Sequence, residues 1–148
     1  MIIQYMEIIG LIGAITGVAS LIWHILKSRL KLSFDASFEK RDFSHLPNKP
    51  YEMIDVEMII RNSGNCSTAV EEIWLTIDNK VDVKRYPKPI IISQNSSEKI
   101  EEHIEFKKEE FKEIFSGKEV LFEANIRHTH GRISKKGKTD FETGYFNL

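Results

Sequence analysis

Residues 54–77 read IDVEMIIRNSGNCSTAVEEIWLTI, and this stretch decides the fold of the 148-residue chain. Large apolar residues occupy every second position over 54–60 and again over 73–77. Because side chains alternate between the two faces of a β-strand, this spacing predicts two strands that each bury one face. Asn62-Ser63-Gly64-Asn65 separates them, and Asn and Gly tolerate the positive φ angles of tight turns.

The same alternation recurs on both sides of this pair. Residues 30–38 and 120–126 place apolar side chains at every second position, and His130-Gly131 predicts a hairpin turn after the second of these stretches. Residues 107–116 change to helical spacing and predict a short helix. About seven short strands, polar turns and one small helix predict a mainly β fold, an antiparallel β-sandwich domain that covers residues 30–148.

The segment between residues 78 and 89 is polar and contains Pro87 and Pro89. Proline cannot donate a backbone hydrogen bond to a sheet, so at most a short strand is expected there, over residues 81–84. The apolar run at residues 90–92 follows directly.

Two stretches carry a resemblance to a known kind of domain. Residues 54–77 hold a strand, an Asn/Gly turn and a second strand, and residues 120–133 (VLFEANIRHTHGRI) hold a late strand that ends in a Gly hairpin. This pattern resembles the immunoglobulin-like sandwich of many small membrane-anchored prokaryotic proteins of unknown function. The resemblance implies a fold and no particular activity. The paired cysteines of antibody domains are missing, because Cys66 is the only cysteine.

The N-terminal region is the longest apolar stretch of the chain. Residues 8–26, IIGLIGAITGVASLIWHIL, contain no Asp, Glu, Lys or Arg. As a helix they would extend ~28 Å, close to the ~30 Å hydrocarbon core of a bilayer. A cleaved signal peptide fits less well because residues 1–7 lack a basic residue, and a buried soluble helix would have a polar face. We therefore expect a single transmembrane helix within residues 1–29, with the lipid bilayer as a partner.

The charges around this stretch predict its orientation. Lys27, Arg29 and Lys31 follow it, whereas Glu7 and the terminal amine precede it. Basic residues stay in the cytoplasm, so the N-terminus is expected outside and the C-terminal domain in the cytoplasm. The single Cys66 agrees with a reducing compartment. An extracytoplasmic cell-surface domain of the same architecture is the alternative.

Small residues form a stripe along the apolar stretch. Gly10, Gly13, Gly17 and Ser20 recur at steps of three and four, and Gly13 with Gly17 makes a small-xxx-small motif. Such motifs let two helix backbones approach closely in lipid. The stripe predicts self-association or docking on another membrane protein.

Composition and motifs favour a binding module over an enzyme. The formal net charge is -1, so no general attraction to nucleic acid is expected. The chain contains no phosphate-binding loop, nucleophile elbow or dinucleotide fingerprint, and no cofactor is expected. Adjacent acids such as Glu71-Glu72 point to opposite faces of a strand and are typical of solvated charge. The leading hypothesis is a non-enzymatic, membrane-anchored protein-interaction or scaffold module held close to the membrane surface.

His128 and His130 support the alternative of a metal- or ligand-binding sensor. Two residues apart on a strand, their imidazoles face the same side, which suits chelation of a metal ion. A stable site would need further ligands, such as His45, His103 or Cys66.

The inward alternation leaves Ile59, Trp74 and Leu121 on the outer faces of their strands. Apolar and aromatic side chains are enriched at binding interfaces, so these three are the predicted partner-binding patch. Alternatively, residues 78–96 or the helix at 107–116 cover them.

Overall fold

The computed structural model describes residues 2–27, 29–46 and 48–148, and in the first helix it describes side chains only at Gly10 and residues 12–25. The described strands form two four-stranded sheets, and every pairing is antiparallel. In chain order the elements are α1 (Ile2–Lys27), β1 (Leu32–Lys40), β2 (Tyr51–Asn62), β3 (Thr68–Ile77), β4 (Lys80–Ile92), β5 (Ser96–Lys107), α2 (Lys108–Ile114), β6 (Val120–His128), β7 (Gly131–Thr139) and β8 (Tyr145–Asn147). Sheet one has the strand order β5-β2-β1-β8, and sheet two has the order β4-β3-β6-β7.

The core lies between the two sheets, where the alternating apolar residues point inward as predicted. The inward residues of β2, β3 and β6 are almost fully buried. Phe38 of β1 meets Phe122 of β6 across the sandwich, with ring centroids 5.0 Å apart in an edge-to-face arrangement. Apolar side chains from both sheets thus form one continuous core, which supplies most of the driving force for folding.

The turn between β2 and β3 is held by the buried side chain of Asn62. Its Nδ2 donates to the carbonyl of Cys66 at 2.7 Å and to that of Ile92 at 3.3 Å. Its Oδ1 accepts a hydrogen bond from the Gly64 amide at 3.0 Å. One side chain therefore joins the turn to the end of β4.

The structure corrects the expectation of only a short strand at residues 81–84. β4 continues from Lys80 to Ile92 through both prolines. It lies at the edge of sheet two, where a missing N–H interrupts pairing on one side only. A β-bulge at Glu71 interrupts the pairing of β3 with β4. Residues 86–89 of β4, which include both prolines, have no paired residue in β3.

The short helix is confirmed and lies against one end of the core. α2 buries Phe111, whose ring centroid is 4.4 Å from that of Phe115 and 5.8 Å from that of Phe106. The backbone amide of Lys107 donates to the Glu110 carboxylate at 3.3 Å, which satisfies one free donor at the start of the helix.

The N-terminal stretch is helical, but the prediction of a single-pass membrane span is wrong. In the part of the chain that the structure describes, no helix is long and apolar enough to cross a membrane. The predicted location, with an outside N-terminus and a cytoplasmic domain, depended on that span and is therefore not supported either.

Candidate functional site

The structure does not bring the three residues of the predicted patch together. Ile59 lies on the outer face of sheet one, whereas Trp74 and Leu121 lie on the outer face of sheet two. Within sheet two, Trp74 is opposite Asn125, four positions along β6 from Leu121, and Glu123 lies between these two positions on the same face. Ile59 is therefore on the opposite side of the sandwich.

Trp74 lies at the centre of the outer face of sheet two, half-buried between cationic and apolar side chains. The guanidinium carbon of Arg132 is 4.9 Å from the indole centroid, and that of Arg127 is 5.9 Å away. Both distances allow the guanidinium groups to interact with the ring face. On the other side, Val81 and Val83 of β4 are 57% and 37% exposed.

A buried carboxylate holds the arginines of this face in position. The side chain of Glu72 is only 3% exposed. Its Oε1 accepts from Arg85 Nε at 2.5 Å, and its Oε2 lies 3.3 Å from Arg127 Nη1. Glu71, at the bulge, adds a contact of 3.3 Å to Arg127 Nε. Sequence reasoning treated these glutamates as solvated charge because strict alternation hides a bulge.

The outer face of sheet two has an excess of positive charge, and we call it the basic face. Directly paired residues share a face of a sheet, so the strand register identifies its members. Its cationic residues are Arg85, Arg127, Arg132, Lys136 and Lys138, and its carboxylates are Glu72, Glu123 and, at the bulge, Glu71, which contacts Arg127. Within the described chain, Lys136 and Lys138 have no carboxylate at ion-pair distance, so their charges face solvent.

The outer face of sheet one has the opposite character, and we call it the acidic face. Its carboxylates are Asp35, Glu39, Asp55, Glu57, Glu101 and Glu105, and its basic residues on the strands are Arg61, Lys99, His103 and Lys107. Lys99 Nζ lies 2.6 Å from Glu101 and 2.7 Å from Glu57, and these hydrogen bonds raise the pKa of the lysine. Hydrogen bonds from Arg61 and Lys135 lower the pKa of Asp35 to about 2. Asp35 and Lys99 are therefore both charged at neutral pH.

His128 and His130 are brought together by a threonine. Thr68 Oγ1 lies 3.1 Å from His128 Nδ1 and 3.3 Å from His130 Nδ1. The backbone amide of His130 also donates to His128 Nδ1 at 3.3 Å. Burial lowers the pKa of His128, and the nearby His130 lowers it further. His128 is thus a neutral acceptor at Nδ1, with its proton on Nε2.

The described residues contain no group of three or more His, Cys, Asp or Glu side chains that could hold a metal ion. The further ligands that a metal at His128 and His130 would need are not assembled in that part of the chain. The arrangement is a hydrogen-bond chain from an exposed to a buried imidazole.

A groove of about 540 Å³ lies at the end of sheet one, where β1 leads into residues 41–46. Two of its cations are paired: Arg41 binds Asp55 through two hydrogen bonds, and Lys40 Nζ lies 3.8 Å from Glu52. The Lys49 ammonium lies 3.7 Å from the centroid of the Phe43 ring. Because these side chains already contact other residues of the chain, the groove is a weaker candidate for a binding site than the basic face.

The small-residue stripe lies on α1, with open space around its glycines. Apart from the adjacent backbone of the helix itself, a Cβ added at Gly10, Gly13 or Gly17 would have no atom of the described residues within 4 Å. Association through these residues and Ser20 stays a prediction.

No protein-family model and no curated protein sequence matches the chain. It is similar in structure to the provisionally named ApaA protein from Bordetella pertussis, with 10% identity over 82% of this chain and 94% of that one and a TM-score of 0.48. A protein from Archaeoglobus fulgidus matches with 10% identity, 81% and 96% coverage and a TM-score of 0.46. These likenesses carry no argument about function, and the predicted kinship with membrane-anchored immunoglobulin-like proteins is not confirmed by them.

Proposed function

We propose that the β-sandwich is a protein-binding module whose basic face docks on an acidic protein surface. The observation that supports this most directly is Trp74, half-buried between two arginines and two exposed valines. Trp and Arg are the residue types that most often dominate binding energy at protein interfaces. A ring of polar side chains around an apolar centre is the usual anatomy of such an interface.

The charge of the face determines the kind of partner. Lys136 and Lys138 direct positive charge to solvent on the same face as Trp74. Charge complementarity accelerates encounter with an oppositely charged surface and suppresses wrong partners. The partner surface should therefore be acidic, with an apolar group for Trp74.

The strand order supports an immunoglobulin-like type of sandwich as the scaffold for this module. In such domains strands A, B and E share one sheet, and strands C, F and G share the other. Here β1, β2 and β5 lie in sheet one, while β3, β6 and β7 lie in sheet two, with β4 beside β3 as an additional strand. The sandwich departs from that pattern by adding β8 next to β1.

Binding of an acidic peptide tests the proposal. A fluorescein-labelled peptide of Glu, Asp and Leu should bind the full chain at low salt, measured by fluorescence anisotropy, and dissociate as salt is raised. Trp74→Ala should weaken binding by about 2 kcal/mol, roughly 30-fold, as expected for a central interface anchor.

Ile59→Ala is the matched control, because it removes a partly exposed apolar side chain from the opposite sheet. Equal weakening by both variants would contradict a site at Trp74. Tighter binding of single-stranded oligo-dT than of the peptide would assign the face to nucleic acid instead.

A further inference from the structure

The two outer faces of the sandwich are complementary to each other. The basic face presents Lys136 and Lys138 to solvent, and the acidic face presents Glu39, Glu101 and Glu105, all exposed. The basic face is built on four antiparallel strands of 9 to 13 residues, and the acidic face on three strands of 9 to 12 residues and the three-residue β8. Strands twist with the same hand in both sheets. Each face therefore offers the surface that the other requires.

We propose that the acidic partner of the basic face is the acidic face of a second copy of this chain. This inference rests on the proposed function, because it names the partner of the same face. The contact is heterologous: the basic face of one copy docks on the acidic face of the next. Each contact uses the basic face of one copy and the acidic face of the other, so a pair still has one free face at each end. Repeated contacts therefore build an open, head-to-tail chain.

The apolar centres of the two faces fit this contact. Trp74 lies at the centre of the basic face, and Ile59 lies on the acidic face between Asp35 and Lys99. Both side chains are partly exposed in one copy. In the assembly, Trp74 of one copy and Ile59 of the next copy lie in the same interface.

The area of the faces predicts a weak and reversible contact. The smaller, acidic face has three strands ~30 Å long and the three-residue β8, ~10 Å long, at a spacing of ~4.8 Å, and so covers ~480 Å². The contact then buries ~960 Å² in total, near the lower limit for a specific interface. The formal net charge of -1 gives little overall repulsion between copies, which favours association. The dominant attraction is between charged faces, so the assembly should dissociate in high salt.

Sedimentation velocity of the full chain tests the inference. At low ionic strength the chain should form species that grow with concentration, and at high ionic strength it should sediment as a monomer. One variant neutralises the basic face (Arg132→Gln, Lys136→Gln, Lys138→Gln), and a second neutralises the acidic face (Glu39→Gln, Glu57→Gln, Glu101→Gln). Each variant alone should remain monomeric.

Mixing the two variants gives the decisive result. Each retains one intact face, so an equimolar mixture should form a one-to-one dimer and stop there, because the other faces are disabled. Ile59→Ala should weaken self-association while leaving binding of the acidic peptide unchanged.

Three outcomes would overturn the inference. A wild-type chain that stays monomeric at low salt while it binds the acidic peptide would remove self-association and leave the proposed function intact. Association that persists at high salt, or in both neutralised variants, would place the contact elsewhere, such as on the apolar surface of α1.

Discussion

Asn62 shows how one buried polar side chain organises its surroundings. Its amide bonds the turn at Gly64 and Cys66 and also the end of β4 at Ile92. Asn62→Ala would leave these backbone groups unsatisfied, so we expect a loss of ~1–3 kcal/mol in the free energy of unfolding, measured by urea denaturation. Asn48→Ala, in an exposed loop, is the control and should change stability little. Equal stability of the two variants would show that the three hydrogen bonds contribute nothing net.

His128 should make the stability of the domain depend on pH. Its pKa is lowered in the folded state, from an ordinary value of 6.5, because the ring is buried next to His130. Above pH 6.5 the imidazole is neutral in both states, and its contribution is fully present. As pH falls further, the unfolded chain takes up the proton first, so stability falls until the folded-state pKa is reached.

His128→Asn tests this linkage, because it keeps a polar group beside Thr68 and removes the titration. Urea denaturation over a pH series should show a smaller acid-induced loss of stability in this variant than in the wild type. His45→Asn, which alters an exposed histidine, should retain the wild-type profile. If His128→Asn leaves the dependence of stability on pH unchanged, the acid-induced loss of stability does not come from titration of His128.

At the scale of elements, Gly64 allows the β2–β3 turn to pack on the backbone that precedes β1. A Cβ at this position would lie 2.4 Å from the Arg29 carbonyl oxygen and 2.5 Å from the Lys31 nitrogen. The Ser63 amide donates to the Lys31 carbonyl at 2.9 Å, so the two segments cannot separate freely. Gly64→Ala should therefore lower the free energy of unfolding by ~1–3 kcal/mol, as overpacking commonly does.

Thermal unfolding followed by circular dichroism measures this effect. Gly13→Ala is the control, because among the described residues an added Cβ there would meet nothing within 4 Å beyond the adjacent helix backbone. If the melting temperature falls equally in the two variants, the close backbone contact at Gly64 is not the cause of the lost stability.

At the scale of the whole molecule, opposite charge on the two outer faces should give behaviour that the net charge does not predict. Near neutral pH and at low salt, the chain should be retained on both cation- and anion-exchange resins, since each resin attracts one face. Lys136→Ser with Lys138→Ser should weaken retention on the cation exchanger. Lys49→Ser with Lys112→Ser makes the same change in net charge outside sheet two and should weaken retention less. Identical elution of the two double variants would contradict a localised basic face.

The sequence by itself determined the elements and the inward faces of the sandwich. Alternation is a local property, and so the buried faces of β1, β2, β3 and β6 could be predicted from a few neighbouring residues. The short helix at residues 107–116 followed from the same kind of local spacing. Local reasoning failed at β4, where an edge position tolerates prolines, and at Glu72, which is buried beside a bulge.

Only the tertiary structure decided which surfaces these strands make. The contact between Trp74 and Arg132 requires the register of β3, β6 and β7, and the separation of Ile59 from Trp74 follows from the division of strands between two sheets. Total charge is a sum over the chain and carries no position, so a net charge of -1 conceals one basic and one acidic face. Long-range strand pairing separates those charges, because it decides which residues distant in sequence share a side of the sandwich.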